Sequence, residues 1–421
     1  MNTTLDLGFR ALAAGTSILL MGASAFRLAL RLPRVLTGRE ADLPPFEGKL
    51  PLRGMALSAL SMLLSRLLLI LFAFAAFRLS GSGKEGLFSS FQPLWIHWDA
   101  RHYLAIAREG YTAAGDGRLR LVFFPLYPWL MRLIAPLTGG DVFVSGTALS
   151  IACACVSAAL VYLLGTQVLG EGAARRATAY FILGPMSVFL GCCYTESLFL
   201  MLTLLACCLY AGGHPWRFAL VGAASALTRM PGVLLCGLPL IRLLTKLGRG
   251  RREGRTLLAC LAQMAIVFSG LALYWALNAA VTGDPFRYLV YQRENWYQQP
   301  GTFFASAANS AHYFLRLAGE EDWLWTWGFQ LLCMLVVQLL LAFGQERMPF
   351  SLAAYGWVYT ALVLSPTWLL SGARYLYGLA TLPLLLADFV KDARVTRAAL
   401  VVSGLLLLLF TYGYTVAGTV L

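Results

Sequence analysis

Residues 96 to 128 read IHWDARHYLAIAREGYTAAGDGRLRLVFFPLYP, with three carboxylates, two histidines and four arginines in a frame of Trp, Tyr and Phe. Apolar stretches of membrane length lie on both sides, so ionic groups this dense need a reason. A partly shielded carboxylate at a membrane edge can take a proton from a hydroxyl held beside a lipid-borne donor. Asp99, between Trp98 and Ala100, is the candidate for that general base. Its spacing to His102 and Tyr103 puts all three on one side of any helix that begins there, and Trp95 and Trp98 could shape a sugar pocket. Asp99 could equally N-cap a short interfacial helix with the tryptophans as belt anchors; the two roles are compatible.

Other charged residues stand at the ends of apolar segments or inside them. Arg229 interrupts one at TRMPG, where Pro231 and Gly232 break the helix, and Arg374 opens another after Ser371-Gly372-Ala373. Guanidinium groups so placed can hold a lipid phosphate in bidentate fashion, although arginines at span ends also snorkel. Glu196, after CCYT, could favour a helix N-terminus, orient Arg229 or hold an acceptor amine. Arg66 lies inside a span, where an unpaired cation costs about 2.5–3.5 kcal/mol on insertion scales. It should therefore meet a carboxylate or a phosphate, or sit in a buried structural ion pair. No Gly-rich phosphate loop, Asp-X-Asp pair or soluble nucleotide-binding segment is present, which points a transferase toward a lipid-linked donor. We expect no metal and no other cofactor.

Membrane-spanning elements must position these groups. Of the 421 residues 59% are hydrophobic and 13% charged, and the mean hydropathy is +0.70, values that indicate an all-α polytopic membrane protein. The net charge of +13 gathers in short loops between apolar spans, where it reports topology and not nucleic-acid binding. The nine cysteines fall within or at the ends of apolar segments, without spaced histidines for a metal site.

Residues 1–53 read as an N-terminal extension: a short apolar or interfacial helix, then a Pro-containing basic linker. Residues 54–421 read as the transmembrane catalytic domain. The pattern predicts about eleven spans, or twelve with the N-terminal helix. Loops alternating onto one side hold 19 of the lysines and arginines, which makes that side cytoplasmic. The same parity places Asp99, Glu196, Arg229, Arg374 and the 282–302 loop together on the opposite face.

HWDARHYLAIAREGY followed by FFPLYP resembles the signature of the PIG-V type mannosyltransferases, and so, in order, do Ser65-Arg66, GPMSVFLGCCYTESLF, ALTRMPG, GDPF and SGARY. The likeness runs over roughly residues 54–390. It implies a GT-C type fold of about 11–12 transmembrane helices and inverting transfer of a sugar, mannose above all, from a polyprenyl or dolichyl phosphate. The acceptor would be a hydroxyl of a glycolipid, glycan or protein on the non-cytoplasmic face. Carried over by position, the resemblance makes Asp99 the base and favours His102, Glu196, Arg229 and Arg374 as site residues. With no Lys-type or KDEL retention tail, the expected location is a bacterial plasma membrane with the site outside, or the ER lumenal face in a eukaryote. The rival readings are a transporter or lipid flippase, and a membrane subunit without catalysis of its own.

Overall fold

The computed structural model describes residues 3–40, 43, 45–46, 49–81, 86–250, 254–320, 323–345 and 347–417, without the side chains of residues 3 and 87–89. Lys84 of the loop before Asp99, and Arg251 and Arg252 of the basic loop, lie outside the described residues. Everything described is helix, turn or loop, apart from one isolated bridge between Pro300 and Pro366.

The chain begins with α1 (Thr3–Leu36), α2 (Leu52–Leu79), α3 (Leu87–Trp95), α4 (Asp99–Glu109) and α5 (Leu126–Ile134). Next come α6 (Val142–Leu169), α7 (Glu171–Leu183), α8 (Glu196–Ala211), α9 (Pro215–Thr228) and α10 (Gly237–Gly248). The remainder is α11 (Gly254–Thr282), α12 (Arg287–Trp296), α13 (Phe303–Arg316), α14 (Phe329–Phe343), α15 (Phe350–Val363), α16 (Gly372–Tyr377), α17 (Leu382–Phe389) and α18 (Ala393–Tyr412). This is a multi-pass membrane protein. Among the described residues seven helical segments are long and apolar enough to cross a bilayer, or nine if each bent pair forms one span.

That number is smaller than the eleven or twelve apolar stretches of the sequence, because several are interrupted. The 177–191 and 195–211 stretches are not two straight rods: the 3-10 turn Pro185–Gly191 meets α8 at a 97° bend. Pro125 and Pro128 remove backbone donors, and the segments around them meet at 109°. Apolarity marks what is shielded from water, and a short helix wrapped by others is shielded without crossing anything.

α6 is the central post, buried along most of its length and packed by α2, α5, α7 and α8. Its start is fixed by Asp141, whose carboxylate accepts from the amides of Phe143 and Val144 at 2.8 and 3.3 Å, an N-cap. The N-terminal helix is longer than the short apolar or interfacial helix read from the sequence. α1 runs 34 residues through its flanking arginines because protein groups meet them: Arg10 lies 3.8 Å from Asp6, and Arg31 binds Glu40 at 2.5 Å. It packs on α13, α14 and α15, with Gln338 and Gln345 donating to Ser17 and Ser24 at 2.7 and 3.0 Å.

Candidate active site

The first turn of α4, the first turn of α8, the break after α9 and the short helix α16 come together at one end of the bundle. Each presents one charged residue. Arg374 Nη2 donates to Asp99 Oδ2 at 2.7 Å, and its Nε lies 3.6 Å from Glu196 Oε1. Arg229 Nη1 donates to the same Glu196 oxygen at 2.6 Å. The four residues thus form one alternating chain, Asp99–Arg374–Glu196–Arg229, with formal charges that cancel. Glu196 is only 2% exposed and Arg374 6%, whereas Asp99 keeps 26%. The carboxylate at the end of the chain is the accessible one.

Aromatic faces hold the cations in place. The Tyr375 ring lies 5.2 Å from both guanidinium carbons, Arg374 also stands over Tyr194 at 5.0 Å and Phe189 at 5.3 Å, and Arg229 stands over Phe199 at 5.9 Å. Contacts of this kind favour a desolvated cation. Arg229 owes its place to the helix break: Pro231 cannot continue α9 regularly, and Gly232 lies directly on the turn before it. A methyl group at Gly232 would come within 2.3 Å of the Ala226 nitrogen and 2.5 Å of the Ser225 oxygen.

These charges line a cavity of about 170 Å³. Tyr103, Phe123, Tyr194, Trp296 and Tyr375 give it aromatic walls, and Thr195, Gln292 and Gln298 add polar ones. Glu196 Oε2 and Arg374 Nε are buried there without a hydrogen bond from the described residues, so capacity for a polar ligand remains. A much larger hollow of about 1590 Å³ lies between α2, α7 and α18. Leucine is the commonest residue of its lining, and the hollow holds none of the four charged residues, so size alone does not mark the chemical centre. Among the described residues no cluster of three or more His, Cys, Asp or Glu side chains is placed to hold a metal ion.

The other sequence candidates fall around this centre in different ways. Asp99 opens α4 without a side-chain cap bond; its carboxylate turns to Arg374 instead. Tyr103, one turn on, lines the cavity, while His102 stacks on Phe123 at 4.7 Å just behind the wall. Burial lowers the His102 pKa, against the pull of Asp99, and keeps a neutral ring at pH 7. Neither Trp95 nor Trp98 is among the lining residues. Trp95 is buried and donates from Nε1 to the Gly191 carbonyl at 3.0 Å, so it anchors backbone and forms no part of a sugar pocket in this conformation.

Arg66 is also elsewhere. It donates to the carbonyls of Ser187 and Ile182 and to the hydroxyls of Ser65 and Ser187, and meets no carboxylate among the described residues. The last carbonyls of α7 lack intrahelical partners and carry its negative dipole end, so the cation finds its counter-charge in backbone. Tyr375 and Trp296 are among the lining residues that sequence reasoning missed, as are Phe123, Tyr194, Thr195, Gln292 and Gln298. Beside Tyr375 and Trp296, Arg374 and the polar, aromatic 282–302 loop were visible, but an aromatic residue among so many carries no mark of its own.

The Mannosyltransferase (PIG-V) family profile matches residues 61–275, half of the chain, and that match contains Asp99, Glu196 and Arg229. The chain belongs to the PIG-V mannosyltransferase family. The profile ends before Arg374, a candidate from the sequence that the geometry joins to the other three. Among relatives, GPI alpha-1,6-mannosyltransferase 2 of Homo sapiens is 28% identical over 245 residues, covering 55% of this chain and 46% of that protein. The Mus musculus protein of the same name is 31% identical over 180 residues, covering 39% and 35%, and the Cricetulus griseus one is 32% identical over 150 residues, covering 33% and 30%. The chain thus aligns with less than half the length of these relatives. Among solved structures, ArnT from Cupriavidus metallidurans bound to undecaprenyl phosphate has a TM-score of 0.46 and 16% identity, over 80% of this chain and 62% of that one.

Proposed function

We propose that this PIG-V family protein is an inverting mannosyltransferase of GT-C type that takes its sugar from a polyprenyl-phosphate mannose and works on the non-cytoplasmic membrane face. The carrying observation is the convergence of Asp99, Glu196, Arg229 and Arg374, from four distant parts of the chain, on one aromatic cavity. Asp99 removes the proton of an acceptor hydroxyl as its oxygen attacks the anomeric carbon. The bond from that carbon to the phosphate oxygen breaks, its electron pair stays on the phosphate, and Arg374 and Arg229 stabilise the charge. The products are an inverted mannoside and a polyprenyl monophosphate. Before the reaction Arg374 holds Asp99 in place through an ion pair at 2.7 Å.

The polyprenyl donor is supported by a cavity with two cations and no nucleotide-binding feature in the sequence. The acceptor is a hydroxyl of a glycolipid, glycan or protein. Family membership supports transfer over the transporter or flippase reading. A bacterial plasma membrane with the site outside is the matching location, with the ER lumenal face as the eukaryotic counterpart; the asymmetry of basic loops supports the side.

Asp99→Asn preserves size and one acceptor atom but removes basicity. It should reach the membrane in normal amount and lose at least about a hundredfold in mannose transfer, on the scale of general-base catalysis. Transfer from radiolabelled polyprenyl-phosphate mannose in isolated membranes measures this. Near-normal turnover of Asp99→Asn would remove Asp99 from the base role.

A further inference from the structure

Trp98, immediately before Asp99, has φ +42° and ψ −114°. Among the described residues only it and Tyr297 combine a side chain with positive φ. The Ala100 amide donates to the His97 carbonyl at 3.1 Å, closing a four-residue turn with Trp98 at its first central position. Those angles are near the type II′ turn, which normally places glycine there because a Cβ resists it. Strain kept beside a reacting group must be held by surrounding structure.

The holders are visible. Tyr414, in the π-helical turn Gly413–Ala417 that ends α18, donates from its hydroxyl to the Trp95 carbonyl at 3.0 Å, across 319 residues. Its ring meets His97 edge-on at 5.2 Å and Trp98 at 5.7 Å. Beside it, the Tyr194 hydroxyl donates to the His97 carbonyl at 3.0 Å. Tyr414 is fully buried and does not line the cavity.

We propose that Tyr414 is a positioning residue: with Tyr194 it clamps Trp98 in its left-handed turn, and the turn points Asp99 at Arg374 and into the cavity. The inference rests on the reading of Asp99 as the base. The C-terminal end of α18 is therefore part of the catalytic apparatus without touching a substrate.

The test uses full-length protein in membranes, reading formation of polyprenyl monophosphate from polyprenyl-phosphate mannose. Tyr414→Phe keeps the ring and deletes the hydroxyl; it should lower kcat about tenfold, the scale of a small misplacement, with the donor KM within about twofold. Glycine accepts the turn and alanine does not, so Trp98→Gly should exceed Trp98→Ala in kcat by about fivefold. In the Trp98→Gly background the effect of Tyr414→Phe should shrink below about threefold.

Wild-type kcat in Tyr414→Phe, an equal loss in both backgrounds, a rise in KM alone, or alanine as good as glycine at position 98 would each overturn the clamp. If Tyr414→Phe fails to accumulate, the glycine–alanine comparison still decides. Should Asp99→Asn itself keep turnover, it is the base assignment that fails, and the two failures are told apart.

Discussion

Glu196 stands between the two arginines, and its position sets what each of them can do. One of its oxygens is shared by Arg229 at 2.6 Å and Arg374 at 3.6 Å, while the other is buried without a partner. Glu196→Gln keeps the shape but removes the charge that orders Arg229, leaving two buried cations facing one remaining carboxylate. We predict a donor KM changed by about tenfold or more, with protein still present in membranes, since charge-assisted hydrogen bonds are worth about 1.5–3 kcal/mol. Unchanged kinetics would make Glu196 a bystander of the α8 terminus. The four charged residues were legible as ionic groups at the edges of apolar stretches. Their pairing was legible only in part: Glu196 reads as a group that could orient Arg229, which it meets at 2.6 Å, whereas Asp99 and Arg374 are 275 residues apart and only the order of helices in the bundle joins them. Arg66 misled for the same reason: a cation inside a span advertises a need for negative charge, and backbone carbonyls, which no sequence displays, met it.

Helical elements show where reading by apolarity works and where it stops. α2, α6, α11 and α18 are long, apolar and were all readable as spans. The bent pairs were less so, since two rods with a hinge and two separate spans have the same hydropathy. The break after α9 was visible from Pro231 and Gly232, but not that Gly232 would seat itself on the Ser225–Ala226 backbone. Gly232→Ala forces backbone apart at that contact, and overpacking of this kind costs about 1–3 kcal/mol. We predict a lower melting temperature in detergent together with weakened transfer, because the displaced turn begins at Arg229. A variant as stable and active as the parent would show that the break is not what sets Arg229.

For the molecule as a whole, the parity of basic loops predicts that the cavity faces away from the cytoplasm. Gly115, in the loop after α4, is exposed and has open space around it. A cysteine placed there should react with an impermeant thiol reagent added to intact cells, and labelling only after permeabilisation would reverse the orientation. The native cysteines are a small background, because six of the nine are buried and the other three only partly accessible.

The way α1 is held carries a consequence for how the protein is made. Ser17 and Ser24 leave the ribosome 321 residues ahead of the glutamines that will bind them, an interval of roughly 15–60 s at ordinary synthesis rates. During that wait a lone amide in hydrocarbon would be left unsatisfied, whereas a serine can turn its hydroxyl back onto a carbonyl of its own helix. The undemanding partner is therefore translated early and the demanding one late, so Gln338, inside the apolar segment Leu324–Phe343, enters the bilayer when an acceptor is already in place.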